Sequence, residues 1–98
     1  NHGALPDLPF NKIVEVPSLV DGSGPHPLAM GKMPAQVRGL VQSVAAYEEL
    51  TVRAALEKSY KTALDALSCH PLVPSRRVAK DILDEYVSAH KDSLSYLS

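Results

Sequence analysis

Hydrophobic and polar residues follow two different rhythms along this chain. From Ile13 to Val20 they suit a two-residue period, with Val14, Val16 and Val20 on one face and Ile13 and Leu19 on the other. Apolar residues on both faces predict a strand covered on both sides. Pro17 constrains that strand, because it cannot donate to a ladder and belongs at an edge, at a bulge or where pairing ends. Asp21-Gly22-Ser23-Gly24 reads as a turn. Pro25, His26, Pro27 and Leu28 predict a short extended piece, in which the proline spacing forbids a central strand.

From Pro34 the rhythm becomes helical. Pro34 has the fixed φ suited to a first helical turn. Val37, Leu40, Val41, Val44 and Tyr47 or Glu48, then Thr51, Val52, Ala55 and Leu56, predict one helix of at most about 35 Å ending near Lys58. A shorter helix is predicted over Tyr60 to Ser68, with Tyr60, Ala63, Leu64 and Leu67 on one stripe. His70-Pro71 and Val73-Pro74 break it, since the residue before a proline is pushed out of the α region. Ser75 is an N-cap for a third helix carrying Val78, Ala79, Ile82, Leu83 and Tyr86, running to about His90. The tail predicts one further turn.

Composition agrees with this division. Six of the eight prolines and four of the five glycines lie at or before Pro34, which places loops and strands in 1–33 and helices in 34–98. The predicted class is α+β: one or two short strands followed by three helices. The 98 residues allow one small domain with a thin core. With one Phe and no Trp, that core must come from Leu, Val, Ala and Tyr. The net charge of -1 gives no support to nucleic-acid binding. No apolar run approaches the ~18 residues of a membrane span. The single Cys excludes an internal disulfide and fits a reducing cytoplasm.

Chemistry-bearing residues are sparse. Cys69 beside His70 is the tempting pair, but adjacent residues at a helix end point apart and would need partners from elsewhere. The expectation is that Cys69 is a small buried hydrophobe and that His70 caps the helix end, where a cation is favoured. His26, between two prolines, and His2, in the opening loop, read as surface residues. His90 reads as structural or solvent-facing. Arg76 and Arg77 at the start of the third helix suggest either an anion site or, more commonly, two solvated arginines. Lys80 and Asp84 have the spacing of an i,i+4 pair. There is no glycine-rich phosphate loop and no paired acid and base. The residues alone therefore contain no complete active site.

Three segments together resemble one family. They are NHGALPDLPFNKIVEVP at 1–17, VQSVAAYEELTVRAAL at 41–56 and ALSCHPLVPSRRVAKDILDEYVSAH at 66–90. They look like the C-terminal end of glycoside hydrolase family 4, and within it like the 6-phospho-β-glucosidases. Family members are several hundred residues long, so the resemblance implies that this chain continues a longer polypeptide and corresponds to about its last quarter. It implies the C-terminal part of a lactate-dehydrogenase-like α/β domain.

For the full-length enzyme the resemblance implies NAD and Mn2+ as cofactors, a phosphorylated disaccharide as substrate, a homo-oligomer, and a cytoplasmic location. The implied chemistry is oxidation of the sugar, elimination of the aglycone, addition of water and re-reduction, outside the usual two-carboxylate scheme. The cofactor, metal and catalytic residues of the family lie upstream of the matching region. This chain is therefore expected to bind neither cofactor and to be structural and inactive alone. Asn1 and Gly3 are the candidate substrate-binding residues: Asn1 as a hydrogen-bonding group, Gly3 as the residue permitting a tight turn. His2 stands where the family varies. The rival expectation is a small non-enzymatic helical module that binds partner proteins.

Overall fold

The structure is a computed structural model that describes residues 1–97. The described residues form two compact units, 1–42 and 43–97.

The first unit contains a loop, a two-stranded antiparallel hairpin and the start of a helix. Strand β1 (Ser18–Asp21) pairs with β2 (Gly24–Pro27), with Leu19 opposite His26 and Val20 opposite Pro25. The turn falls where Asp21 to Gly24 predicts it, and Gly24 takes a φ of 111°, which suits glycine. The predicted strand over Ile13 to Val20 needs correction. Ile13 to Val16 lies outside the ladder, which opens with Leu28 N–H on the Pro17 carbonyl (3.0 Å) before β1 begins at Ser18. The tight turn sets which residues face each other, and it places β2 opposite residues 18–21. Ile13, Leu19 and Val20 are 93%, 64% and 74% exposed, so residues of this chain do not supply the expected cover.

The opening loop is tied to the segment after the hairpin by Met30 N–H on the Ala4 carbonyl (2.8 Å) and Met33 N–H on Asp7 Oδ2 (2.6 Å). Gln42 Nε2 donates to the Asp7 carbonyl (2.9 Å). Ala4 is the buried residue at the centre of these ties.

Helix α1 spans Ala35–Glu57, 23 residues. Pro34 stands just outside it, and its carbonyl accepts from Val37 and Arg38. The helix ends in a Schellman arrangement: Lys58 takes a φ of 54°, and Ser59 N–H reaches back to the Ala54 carbonyl (3.1 Å). Ser59 Oγ then accepts from Thr62 N–H (3.1 Å) and caps helix α2 (Tyr60–Cys69). Pro71 forces His70 to extended backbone and stops α2. Ser75 Oγ accepts from Val78 N–H (3.2 Å) and caps helix α3 (Arg76–Ala89). A short helix α4 (Lys91–Leu94) and a 3-10 turn (Ser95–Leu97) follow, lengthening the single turn predicted for the tail.

The core of the second unit is built from small groups. Ala54, Ala66, Ala79, Leu83 and Leu97 are buried, and Ala79 has no exposed surface. The buried side of the C-terminal half of α1 carries Ala54, whereas Val52 and Leu56 are 61% and 80% exposed. The predicted stripe through Val52 and Leu56 is thus uncovered on this chain. Cys69 also differs from expectation: it is exposed. The inward stripe of α2 runs through Ala63, Ala66 and Leu67. Cys69 lies roughly 110° around the helix from the middle of that stripe at 100° per residue.

Candidate functional site

The opening loop is held by its first side chain. Asn1 Nδ2 donates to the carbonyls of Leu5 (2.9 Å), Leu8 (3.0 Å) and Pro9 (2.9 Å), and its Oδ1 accepts from Leu5 N–H (2.7 Å). Its backbone nitrogen donates to the Lys12 carbonyl (2.7 Å). The Asn1 amide therefore knits the loop from inside, with both donors and its acceptor in use. Ala4 N–H closes a turn on the Asn1 carbonyl (2.9 Å), and the two central residues, His2 and Gly3, have φ of 46° and 89°. Positive φ at both centres is the signature of a type I′ turn. A Cβ on Gly3 would meet nothing within 4 Å, so backbone conformation rather than space favours glycine there.

His2 is exposed and stacks on Phe10, with ring centroids 5.0 Å apart. Its N–H donates to the Phe10 carbonyl (2.8 Å). Asn1, His2 and Gly3 thus form one pre-shaped turn that presents the His2 ring and the Gly3 backbone outward. Sequence reasoning selected the segment and missed how completely Asn1 is engaged by its own loop. The clue was the length of that loop: an Asn ahead of several closely following carbonyls can bond to them.

The hairpin brings together a second polar group. His26 Nε2 lies 3.0 Å from Asp21 Oδ1 and 3.1 Å from Ser23 Oγ, and Ser23 Oγ donates to Asp21 Oδ1 (2.6 Å). Hydrogen bonds from Ser23 first, and from His26 second, lower the pKa of Asp21 below its usual range. The residue types match a hydrolytic triad, but the geometry does not. A triad bonds Ser and Asp to different ring nitrogens, whereas here both face Nε2. The cluster braces the turn.

His70 Nδ1 accepts from Leu72 N–H (3.1 Å), and its ring stands edge-on to Tyr47. His70 is the C-cap residue of α2, as expected, and its ring takes a backbone N–H from the chain beyond the helix. Arg76 Nη1 reaches Asp65 Oδ1 (2.7 Å), so this solvent-exposed arginine also pairs with α2. The predicted Lys80–Asp84 pair forms, and Tyr60 O–H joins it by donating to Asp84. Lys80, then Tyr60, hold the Asp84 carboxyl below the usual range, while Asp84 raises the Tyr60 phenol. An ionised acid beside a protonated phenol makes a poor acid–base couple near neutrality.

The first unit offers the pre-shaped turn. The second contains an apolar crevice of about 250 Å³ among Tyr47, Ala54, Ala66 and Leu83. Among the described residues, no three His, Cys, Asp or Glu side chains gather where they would hold a metal ion. The described residues therefore do not fit a Mn2+ site. Among the described residues, no helix is long and apolar enough to cross a membrane.

The fold and its loop have close counterparts in known proteins. Residues 1–73 match the Family 4 glycosyl hydrolase C-terminal domain, and the chain belongs to that family. A probable 6-phospho-beta-glucosidase of Bacillus subtilis is 46% identical over 91 residues, 93% of this chain and 21% of that protein. The maltose-6'-phosphate glucosidase MalH of Clostridium acetobutylicum is 40% identical over 92 residues, 94% of this chain and 21% of that protein. The chain thus spans about a fifth of the length of these relatives. Among solved structures, a 6-phospho-alpha-glucosidase from gut microorganisms, in complex with NAD and glucose-6-phosphate, superposes with a TM-score of 0.88. It is 37% identical, and the match covers 100% of this chain and 22% of that one. The 6-phospho-beta glucosidase of Thermotoga maritima superposes with a TM-score of 0.80 at 36% identity, over 95% of this chain and 23% of that one.

Proposed function

We propose that this chain is the C-terminal portion of a 6-phospho-β-glucosidase, in which it is a structural part rather than the bearer of the reacting groups. The observation that carries the reading is the family match from residue 1 to residue 73, together with 46% identity to a probable 6-phospho-beta-glucosidase. Relatives with α specificity are also similar, at 40% identity for the maltose-6'-phosphate glucosidase, which makes the anomer the point to test.

In this reading the turn at Asn1 to Gly3 borders the sugar site. Asn1 shapes the loop, and the exposed Gly3 backbone lets a ligand approach closely. The enzyme acts in the cytoplasm as a homo-oligomer. It uses NAD and Mn2+ held by residues outside this chain.

The test is an assay of the longer polypeptide that carries this segment, with NAD+ and Mn2+, on 6-phospho-β- and 6-phospho-α-glucosides. Preferential turnover of the β substrate supports the reading. Turnover of the α substrate alone overturns the anomer, and turnover of neither overturns the activity. The 98-residue chain assayed alone is expected to be inactive.

A further inference from the structure

The opening loop is folded by one side chain and docked by another. Asn1 Nδ2 donates to the carbonyls of Leu5, Leu8 and Pro9, and Leu8 N–H closes a turn on the Leu5 carbonyl (3.2 Å). Asp7 lies inside that turn, so its backbone is fixed on both sides. Its side chain leaves the loop: Oδ2 accepts from Met33 N–H (2.6 Å). Three residues earlier on each segment, the Ala4 carbonyl accepts from Met30 N–H (2.8 Å). A further bond runs from Gln42 Nε2, on α1, to the Asp7 carbonyl (2.9 Å). A single tie lets a loop pivot. Two ties in step, with another on the helix, remove that freedom.

The partner on the other side of the Asp7 carboxyl has its own need of it. Met33 lies before Pro34 and outside α1, so the helix gives its N–H no acceptor. Helix α1 also has no acidic residue in its own first turn. Asp7 satisfies the N–H and places a carboxylate near that N-terminus, where negative charge is favoured.

We propose that Asp7 is a positioning residue of the sugar site: it sets where the Asn1–Gly3 turn stands, whereas Asn1 sets its shape. The inference rests on the reading above that this turn borders the sugar site. Asp7 acts on the substrate through the turn and does not touch it. All three ties lie within residues 1–42, so they do not depend on what the rest of the longer polypeptide covers.

The test uses that longer polypeptide with NAD+, Mn2+ and whichever 6-phosphoglucoside it turns over. Asp7→Ala is expected to raise KM for the glucoside by on the order of tenfold, the factor one hydrogen bond to a charged group is worth. The kcat and the KM for NAD+ should stay unchanged. Asp7→Asn keeps a carbonyl oxygen for Met33 N–H and should recover most of the loss. Gln42→Ala removes one tie and should raise KM less. By hydrogen exchange, the Met30 and Met33 amides should open faster in Asp7→Ala, while the Leu5 amide, bonded to Asn1 Oδ1, keeps its protection. Asp65→Asn, which breaks the ion pair with Arg76 in the second unit, is the control and should leave KM unchanged.

An active enzyme whose KM is unmoved by Asp7→Ala overturns this inference alone, as does an Asp7→Asn enzyme as impaired as Asp7→Ala. A KM raised equally by Asp65→Asn also overturns it, because general loosening then explains both. If Asp7→Ala does not fold, Gln42→Ala decides, and an unchanged KM there refutes the positioning. A wild-type polypeptide that turns over neither glucoside overturns the activity itself, and this inference falls with it.

Discussion

The ring of Tyr47 meets the ring of His70 edge-on, with centroids 4.7 Å apart and planes 88° apart, joining α1 to the residue that ends α2. The contact is worth about 1 kcal/mol as an aromatic pair, and the bond from Leu72 N–H to the same ring adds a similar amount. His70→Ala should therefore lower stability by about 1–2 kcal/mol in urea unfolding. His70→Phe keeps the ring contact, loses the acceptor, and should fall between the two.

Lys58 closes α1 at a φ of 54°, where glycine is the usual residue. Its Cβ costs roughly 1 kcal/mol in that conformation. Lys58→Gly should raise the midpoint of thermal unfolding. A lower midpoint would mean that the Lys side chain contributes a contact that outweighs the backbone gain.

Acid should weaken the tie between α2 and α3. Hydrogen bonds from Arg76, and secondarily from Lys61, lower the pKa of Asp65 below its unfolded value. A group with a depressed folded pKa adds stability above its unfolded pKa, and that stability disappears as pH falls through the folded one. The loss should begin near the unfolded carboxylate value of about 4 and continue below it. Asp65→Asn should lower the melting temperature slightly at neutral pH and meet the wild-type profile at low pH, which flattens its acid side. The pair is exposed, so the effect is small.

Replacing Asn1 tests the loop. Asn1→Ala removes the acceptor for Leu5 N–H and the donor to three carbonyls, so the Leu5 amide should exchange faster with solvent. Asn1→Asp should be worse, because a carboxylate would face those carbonyl oxygens without a donor. In the longer enzyme, a raised KM at unchanged kcat is the expected sign that this loop shapes the sugar site.

Much of the helical part was legible from local chemistry. Ser75 caps α3, Pro71 stops α2, and the 3.6-residue spacing after Pro34 marks α1, all features that act within a few residues. The strand was not legible in the same way. Val14 and Val16 alternate as a strand would, yet pairing depends on what lies opposite, and the turn at Gly22 and Ser23 puts only residues 18–21 against β2. The cluster of Asp21, Ser23 and His26 escaped for the same reason, since it is assembled across the hairpin. The pairing of Arg76 was not legible because its partner, Asp65, lies 11 positions away on another helix. Cys69 looked buried by residue type, whereas its angle around α2 decides otherwise.

The joint at Ser59 carries one more consequence. The same residue closes α1 through its backbone N–H and opens α2 through its hydroxyl. The two helices are therefore locked in phase, as two gears on one pin are. One residue inserted between Glu57 and Tyr60 would turn α2 by about 100° and swing its alanine stripe toward solvent. Such a joint passes rotation from one helix to the next instead of absorbing it, so chain-length variation within this unit should collect elsewhere.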